Sequence, residues 1–415
     1  MRLRGLFQPA PVRAVTAGVV LALGLSAAAC TPASASGAVN GRFFGMHAPG
    51  LQTAAPSAKV GAFNLTTNGV YWPRIETSPG HFDFTRLDAV VAAAQARHAR
   101  PMLVLGQTPQ FHSTRPNATP VAATVPRMAA WKSYVTAVVE RYGTKLDYEI
   151  WPEPDIITNW SGTKKQLAQL VAAASKIIHK KAGHAVVVGP ALVLRMKYQQ
   201  KFMNAFYGIK VGGKAIGSYV DAVGIDPYPT IKGTPEDSLA LIQKAKTILR
   251  KHKVKKPLWN VEINYGVAGG GSTTTKHLSN HVQAAYVTRT FMLNAGAGVK
   301  RVYWLGWYRF TTMAIQMVRA DETTPTPAGK AYSVVRSWLL KQHAHACTRS
   351  KKTHVWSCKL VRKGHASYVY WTTKGKTHVR APKGSRHVET MTGAVSRTHA
   401  GKKVTVTTAP VRVYH

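Results

Sequence analysis

Two glutamates in this chain each close an apolar, strand-like run. Glu153 ends the stretch Tyr148-Glu149-Ile150-Trp151-Pro152-Glu153, and Glu262, 109 positions later, ends Leu258-Trp259-Asn260-Val261-Glu262. Two carboxyls held apart by a fold are the usual equipment for cleaving a glycosidic bond. One gives a proton to the leaving oxygen, and the other attacks the anomeric carbon or activates water. Only 16 of the 415 residues are Asp or Glu. In a chain so poor in acids, a glutamate at the end of an apolar run stands out from ordinary surface charge.

The elements that must position this pair can be read from periodicity. Short apolar runs at 42–46, 60–66, 101–106, 146–151, 185–189, 219–225, 257–262 and 301–305 read as eight strands. Helical patterns lie between them. Leu87, Val90, Val91 and Ala94 share one face, as do Leu167, Leu170, Val171 and Ala174, and also Trp131, Val135, Val138 and Tyr142. Alternating strands and helices of this number imply an α/β fold, a (β/α)8 TIM barrel over residues 36–340, with its working face at the carboxyl ends of the strands. Both glutamates fall at such ends, on the fourth and seventh strands.

From about residue 341 the character changes. Runs at 347–361, 366–372, 378–380, 387–391 and 403–413 read as short strands with glycine-containing turns. A small C-terminal β-sandwich is expected over 341–415, docked rigidly because no low-complexity linker precedes it. Residues 342–415 carry 15 Lys or Arg, eight His and one acid, Glu389.

Composition narrows the setting. Arg2, Arg4 and Arg13, an apolar run from Ala14 to Ala29, and Ala33-Ser34-Ala35 together read as a signal peptide over 1–35, hence a secreted or cell-surface protein. A retained N-terminal anchor and acylation at Cys30 are the alternatives, and no later stretch has the length of a transmembrane span. In an oxidising compartment, Cys347 and Cys358 read as one disulfide closing a short loop. The formal charge is +40, with 56 Lys plus Arg. Such a field favours a polyanionic glycan or cell wall as a partner, and adaptation of solubility or habitat explains it equally well. The basic residues are scattered and accompany no nucleic-acid-binding motif, so no specific nucleic-acid partner is expected. The 17 histidines show no metal-ligand spacing, and no metal or other cofactor is expected.

The chain resembles glycoside hydrolase clan A, and within it family 39 and related actinobacterial proteins. The residues that carry the resemblance are WPRIETSPGHFDFTRLD at 72–88, PMLVLGQTP at 101–109, YEIWPEPD at 148–155, PLWNVEINYG at 257–266 and VYWLGW at 302–307. The resemblance implies a retaining glycosidase acting on a carbohydrate, with Glu153 as general acid/base and Glu262 as nucleophile. An ionised Glu262 nearby would raise the pKa of Glu153 and keep its proton available near neutral pH. Around the pair, Trp304 is expected to stack on the sugar, Tyr228 to orient Glu262, and Gln107 and Trp160 to line subsites. For Trp304 the alternative is a place in the core, and for Tyr228 a place in a turn.

Three positions depart from the family pattern. Pro152 stands where the family has an asparagine that bonds the sugar 2-hydroxyl, and it has neither a polar side chain nor a backbone N–H. Asn64 stands where an arginine often ends strand two, and Asp226 where a histidine usually precedes the tyrosine. Contacts to the 2-hydroxyl supply several kcal/mol in the transition state. The departures therefore imply an altered substrate, a compensating donor, or a carbohydrate- or envelope-binding protein that has lost catalysis.

Overall fold

The computed structural model describes residues 37–267, 276–310 and 312–415. The signal-peptide reading of 1–35, with Cys30, lies outside the described residues.

Eight strands form one parallel sheet: β1 Phe44–His47, β2 Ala62–Asn64, β3 Arg100–Leu105, β4 Asp147–Ile150, β5 Val187–Val188, β6 Val223–Ile225, β7 Leu258–Ile263 and β8 Arg301–Leu305. Their order around the sheet is β6-β7-β8-β1-β2-β3-β4-β5. The remaining seam between β5 and β6 is drawn together by a bridge at Val188 and Ala222 and by the bond from Gly189 N to Ala222 O, 2.8 Å. A Cβ on Gly224 would lie 2.9 Å from Gly189 O, so the seam needs a glycine there. The barrel expected from the eight apolar runs is present, with each strand shorter than or equal to its expected span.

The helices that wrap it are α1 Thr85–Gln95, α2 Met128–Tyr142, α3 Lys164–Lys181, α4 Lys197–Tyr207, α5 Pro235–Lys251, α6 Asn280–Gly296 and α7 Pro327–Leu339. Their starts are written in the sequence. Thr163 with Gln166 forms a capping box on α3, and Thr234 with Asp237 forms one on α5 with Pro235 in the first turn. The apolar faces predicted for α1, α2 and α3 are buried against the sheet. Helix α6 is buried around most of its circumference, because α7 covers it on the outside.

Strand parity divides the core in two. Tyr148, Ile150, Val302 and Trp304 face outward into the large apolar layer between sheet and helices. Ala62, Met102, Val188, Trp259, Val261 and Tyr303 form a smaller cluster inside the barrel. At the lower end of that interior, Asp147 accepts from Arg100 at 2.6 Å and from Arg301 at 2.7 Å. Arg301 also lies 3.8 Å over the ring of Trp259.

The C-terminal region holds antiparallel sheets, as expected. A seven-stranded sheet comprises β9 His343–Ala344, β10 Thr348–Arg349, β11 Trp356–Arg362, β12 His365–Trp371, β14 His387–Thr390, β15 Val395–Arg397 and β17 Val411–Tyr414. A two-stranded sheet pairs β13 Thr377–Arg380 with β16 Lys403–Val406, and Val404 and Val406 bury against Tyr370 and Val413 of the larger sheet. Two of the expected strands are divided. The run 347–361 is a hairpin, β10 and β11, and the run 403–413 is β16 and β17, interrupted before Pro410. Strand β15 was not anticipated, because all three of its residues are exposed and carry no alternation.

Cys347 and Cys358 form the expected disulfide beside β10 and β11. Closing a loop of that size contributes about 3 kcal/mol. The tail is tied to the barrel through Glu236 at the start of α5. Its Oε1 accepts from Trp371 Nε1 of β12 at 2.7 Å and from Arg289 Nε of α6 at 2.8 Å. No helix among the described residues is long and apolar enough to cross a membrane.

Candidate active site

Glu153 and Glu262 line one cleft of about 220 Å³ at the carboxyl ends of the strands. Neither gets there by ordinary strand geometry. On β7, Trp259 and Val261 already face the interior, so simple alternation would turn Glu262 outward. Between Asn260 and Ile263 the register against β8 slips: Asn260 pairs with Val302 but Ile263 with Trp304, so β7 carries one extra residue. This bulge re-aims Glu262 into the cleft. It also turns the carbonyl of Val261 inward, where His47 Nε2 donates to it at 2.9 Å and Asn64 Nδ2 at 3.5 Å. His47 Nε2 is 3.8 Å from Glu262 Oε2. Burial holds the His47 pKa below its ordinary value, although the charge of Glu262 opposes that shift. His47 is therefore a neutral donor that fixes the bulge.

Tyr228, in the segment after β6, donates its hydroxyl to Glu262 Oε1 at 2.8 Å. Tyr228 is itself buried, 6 % exposed. Its own backbone carbonyl accepts from Arg195 Nε at 3.3 Å.

Glu153 sits beyond β4 on strained backbone. Gln107, Trp151 and Glu153 have φ of 63°, 71° and 41°, left-handed conformations that side-chain-bearing residues rarely adopt. Such strain concentrates where a fold over-determines a functional loop. Here the loop is pinned from below. Trp151 Nε1 donates to Asn159 O at 2.8 Å, and Asn159 Nδ2 donates to Glu153 Oε2 at 3.2 Å. Burial and then the charge of Glu262 push the Glu153 pKa up to about 8.

Two further carboxyls line the same cleft. Glu149, on β4 two residues after Asp147, and Asp226, just beyond β6, are 2 % and 3 % exposed. Burial, followed by repulsion from Glu262 and Glu153, raises both pKa values well above the carboxylate range. Behind them, Asp155 is raised to about 6 by burial, although its Oδ2 accepts from Val193 N at 3.0 Å.

Of the other residues singled out from sequence, Asn64 and Gln107 line the cleft, and so does Pro152. Asn64 is spent on structure: its Oδ1 accepts from Thr66 N and Oγ1, and its Nδ2 reaches Val261 O. Trp304 is not a sugar platform. It is fully buried and contacts the rings of Phe291 and Tyr265. Arg301 and Tyr303 occupy the inward parity of β8, so Trp304 must face the helices. Trp160 is likewise core, 2 % exposed and packed edge-on against Trp151 at 4.8 Å. The residues not anticipated are His47, Glu149 and Asn159. Glu149 carried a signal, a second acid inside an apolar run, whereas His47 and Asn159 carried none, since their roles depend on the bulge and the pinned loop. No cluster of His, Cys, Asp and Glu with metal-binding geometry exists among the described residues.

This barrel, with one glutamate beyond the end of its fourth strand and one on its seventh, has the fold of the clan A glycoside hydrolases. Solved structures similar to it include a family 39 glycoside hydrolase from Bacteroides cellulosilyticus WH2, with a TM-score of 0.65 at 17 % identity, covering 86 % of this chain and 75 % of that one. A family 30 endoxylanase from Clostridium papyrosolvens C71 aligns with a TM-score of 0.61 at 12 % identity, covering 92 % and 97 %. A family 39 enzyme from Xanthomonas axonopodis pv. citri aligns with a TM-score of 0.58 at 14 % identity, covering 91 % and 95 %. At these identities the likeness is one of fold. No protein-family model matches the sequence, and no curated protein matches it.

Proposed function

We propose that this protein is a retaining glycoside hydrolase that acts outside the cytoplasm on an oligosaccharide or polysaccharide. Glu153 protonates the leaving oxygen, Glu262 attacks the anomeric carbon, and Glu153, now a base, then activates the water that releases the sugar. The observation that carries this reading is the unequal setting of the two carboxyls in one cleft. Glu153 is pushed up to about 8 and so holds a proton at neutral pH, while Glu262 accepts a hydrogen bond from the Tyr228 hydroxyl. In the same reading, residues 1–35 are a signal peptide removed on export. Residues 36–340 are the catalytic barrel, and 341–415 an accessory domain whose basic surface meets anionic wall polymers.

Intact-mass spectrometry of the mature protein with activated 2-fluoro and 5-fluoro glycosides of several sugars tests the chemistry. A covalent adduct is expected on the wild type, mapped to Glu262, and absent from Glu262→Gln. Glu153→Gln is expected to slow turnover by about 10²–10⁴-fold with poor leaving groups and far less with activated ones. A second reading, a carbohydrate-binding protein without catalysis, is favoured by Pro152, which lines the cleft without a donor. Binding of an oligosaccharide with no adduct from any sugar, on folded protein, would replace the first reading with the second.

A further inference from the structure

Four carboxyls line the cleft, Glu149, Glu153, Asp226 and Glu262, and among the described residues no Lys, Arg or His lines it. Two of them have no part in the double displacement. Glu149 and Asp226 are 98 % and 97 % buried in the sense that only 2 % and 3 % of each remains exposed. Glu149 Oε2 and Asp226 Oδ1 have no hydrogen-bond partner. Arg195 is engaged with the carbonyls of Tyr228 and Val267, and His47 is neutral and bonded to Val261 O. Two other buried carboxylates are supplied with partners: Asp147 has Arg100 and Arg301, and Glu76 has His112, Trp72 Nε1 and Gly80 N.

We propose that the cleft is built for a sugar carrying a free protonated amine, with Glu149 and Asp226 as the groups that recognise the ammonium. An ammonium brings three N–H donors, one positive charge and no acceptor. It therefore supplies the donors and the positive charge that the two carboxyls lack. A neutral hydroxyl brings one donor and no charge, and an N-acetyl group exchanges the ammonium for a single N–H and a bulky acetyl. Uronic or sulfated sugars, which a chain of charge +40 would draw to its surface, meet no cationic side chain lining the cleft among the described residues. The same outer charge disfavours a long polycation, so the fitting ligand is a short amino-sugar oligosaccharide or a polymer with sparse free amines.

Burial raises the pKa of Glu149 and Asp226, which favours their protonated forms in the free protein. Docking an ammonium against them draws them to the ionised form, and the protons go to the buffer. Binding should therefore be coupled to proton release.

The inference takes its reaction from the glycosidase reading, but its binding half stands apart from it. Calorimetry on the mature protein compares short β-linked glucosamine and galactosamine oligosaccharides with their N-acetylated and neutral counterparts, in two buffers of different ionisation enthalpy. The expected result is at least about tenfold tighter binding of one amine series, with net proton release, and loss of that preference in Glu149→Gln and Asp226→Asn. Equal or weaker binding of both amine series overturns the proposal on the wild type alone, whether or not the variants fold. So does a preference that survives in both variants when circular dichroism shows them folded. An adduct on Glu262 from neutral sugars with no amine preference removes this inference and leaves the glycosidase. Amine-selective binding with no adduct from any sugar does the reverse.

Discussion

Asp147 and Glu149 lie two residues apart on β4 and both face the barrel interior, yet the fold treats them in opposite ways. Asp147 is met by two arginines. Burial alone would raise its pKa, but the bonds and charges of Arg100 and Arg301 bring it below the ordinary carboxylate value. Glu149, one layer higher, is met by other carboxyls and is driven upward. The lower layer closes the barrel and contributes to its stability. Among the described residues the upper layer gives Glu149 and Asp226 no arginine partner, and burial raises their pKa values. The contrast follows the general division of (β/α)8 barrels, whose carboxyl-end face carries chemistry and whose other end carries structure.

The largest expected effect comes from breaking the paired layer. Asp147→Asn leaves Arg301, 6 % exposed, as a buried cation without its counter-charge. Urea unfolding should show a loss of about 3–5 kcal/mol. A loss under about 1 kcal/mol would mean that the lower layer is not held by charge, and the comparison would fail.

In the upper layer, Tyr228→Phe removes the hydroxyl that Glu262 Oε1 accepts while leaving the ring in place. A hydrogen bond to a charged group is worth about 1.5–3 kcal/mol, so kcat/KM on a glycoside that the wild type turns over should fall roughly 10- to 100-fold. Stability should change much less, which separates this layer from the one below.

The pH dependence sharpens the comparison through its sign. Glu149, Glu153 and Asp226 have folded-state pKa values above their unfolded ones, so the folded state binds the extra protons. Their contribution to stability is complete below the unfolded carboxylate range, about 4, and is lost as pH rises through the folded values, for Glu153 through about 8. Thermal unfolding should therefore show Tm falling from pH 5 to pH 9. Each such group contributes a slope of at most about 1.4 kcal/mol per pH unit over its window. Glu149→Gln should flatten the fall, and an unchanged slope would contradict the burial argument. The alkaline limb of kcat/KM should lie near 8, where Glu153 loses its proton.

The smallest expected effect tests a second paired carboxylate. Trp371→Phe removes one donor from Glu236 but leaves Arg289 in place. The cost in denaturant unfolding should be about 1 kcal/mol. A loss of several kcal/mol would show that the indole, rather than the arginine, compensates Glu236.

Much of the frame was legible before folding because it depends on period and composition. The eight apolar runs, the helix faces such as Leu87, Val90, Val91 and Ala94, and the two terminal glutamates are all local patterns, and burial of apolar surface enforces them. The errors came from parity and from segment ends. Trp304 stands near the end of β8, but inward or outward facing is decided by which neighbours, Arg301 and Tyr303, already occupy the interior. Trp160 lies in a loop, yet aromatic packing against Trp151 draws it into the core. In the run at 403–413 the alternation of Val404 and Val406 changes parity at Val411 and Val413, and the chain divides there into β16 and β17.

From the sequence alone followed the barrel, the glutamates on strands four and seven, the disulfide partners and the basic β-rich tail, since each is a matter of spacing along the chain. The tertiary structure alone decided which way Glu262 points, because the bulge at Val261 exists only against β8 and is held by His47 and Asn64 from other strands. It also decided that Glu149 and Asp226, 77 positions apart, share a cleft without a counter-charge. Charge compensation is a property of neighbours in space, and strands four and six become neighbours of one cleft only when the barrel closes.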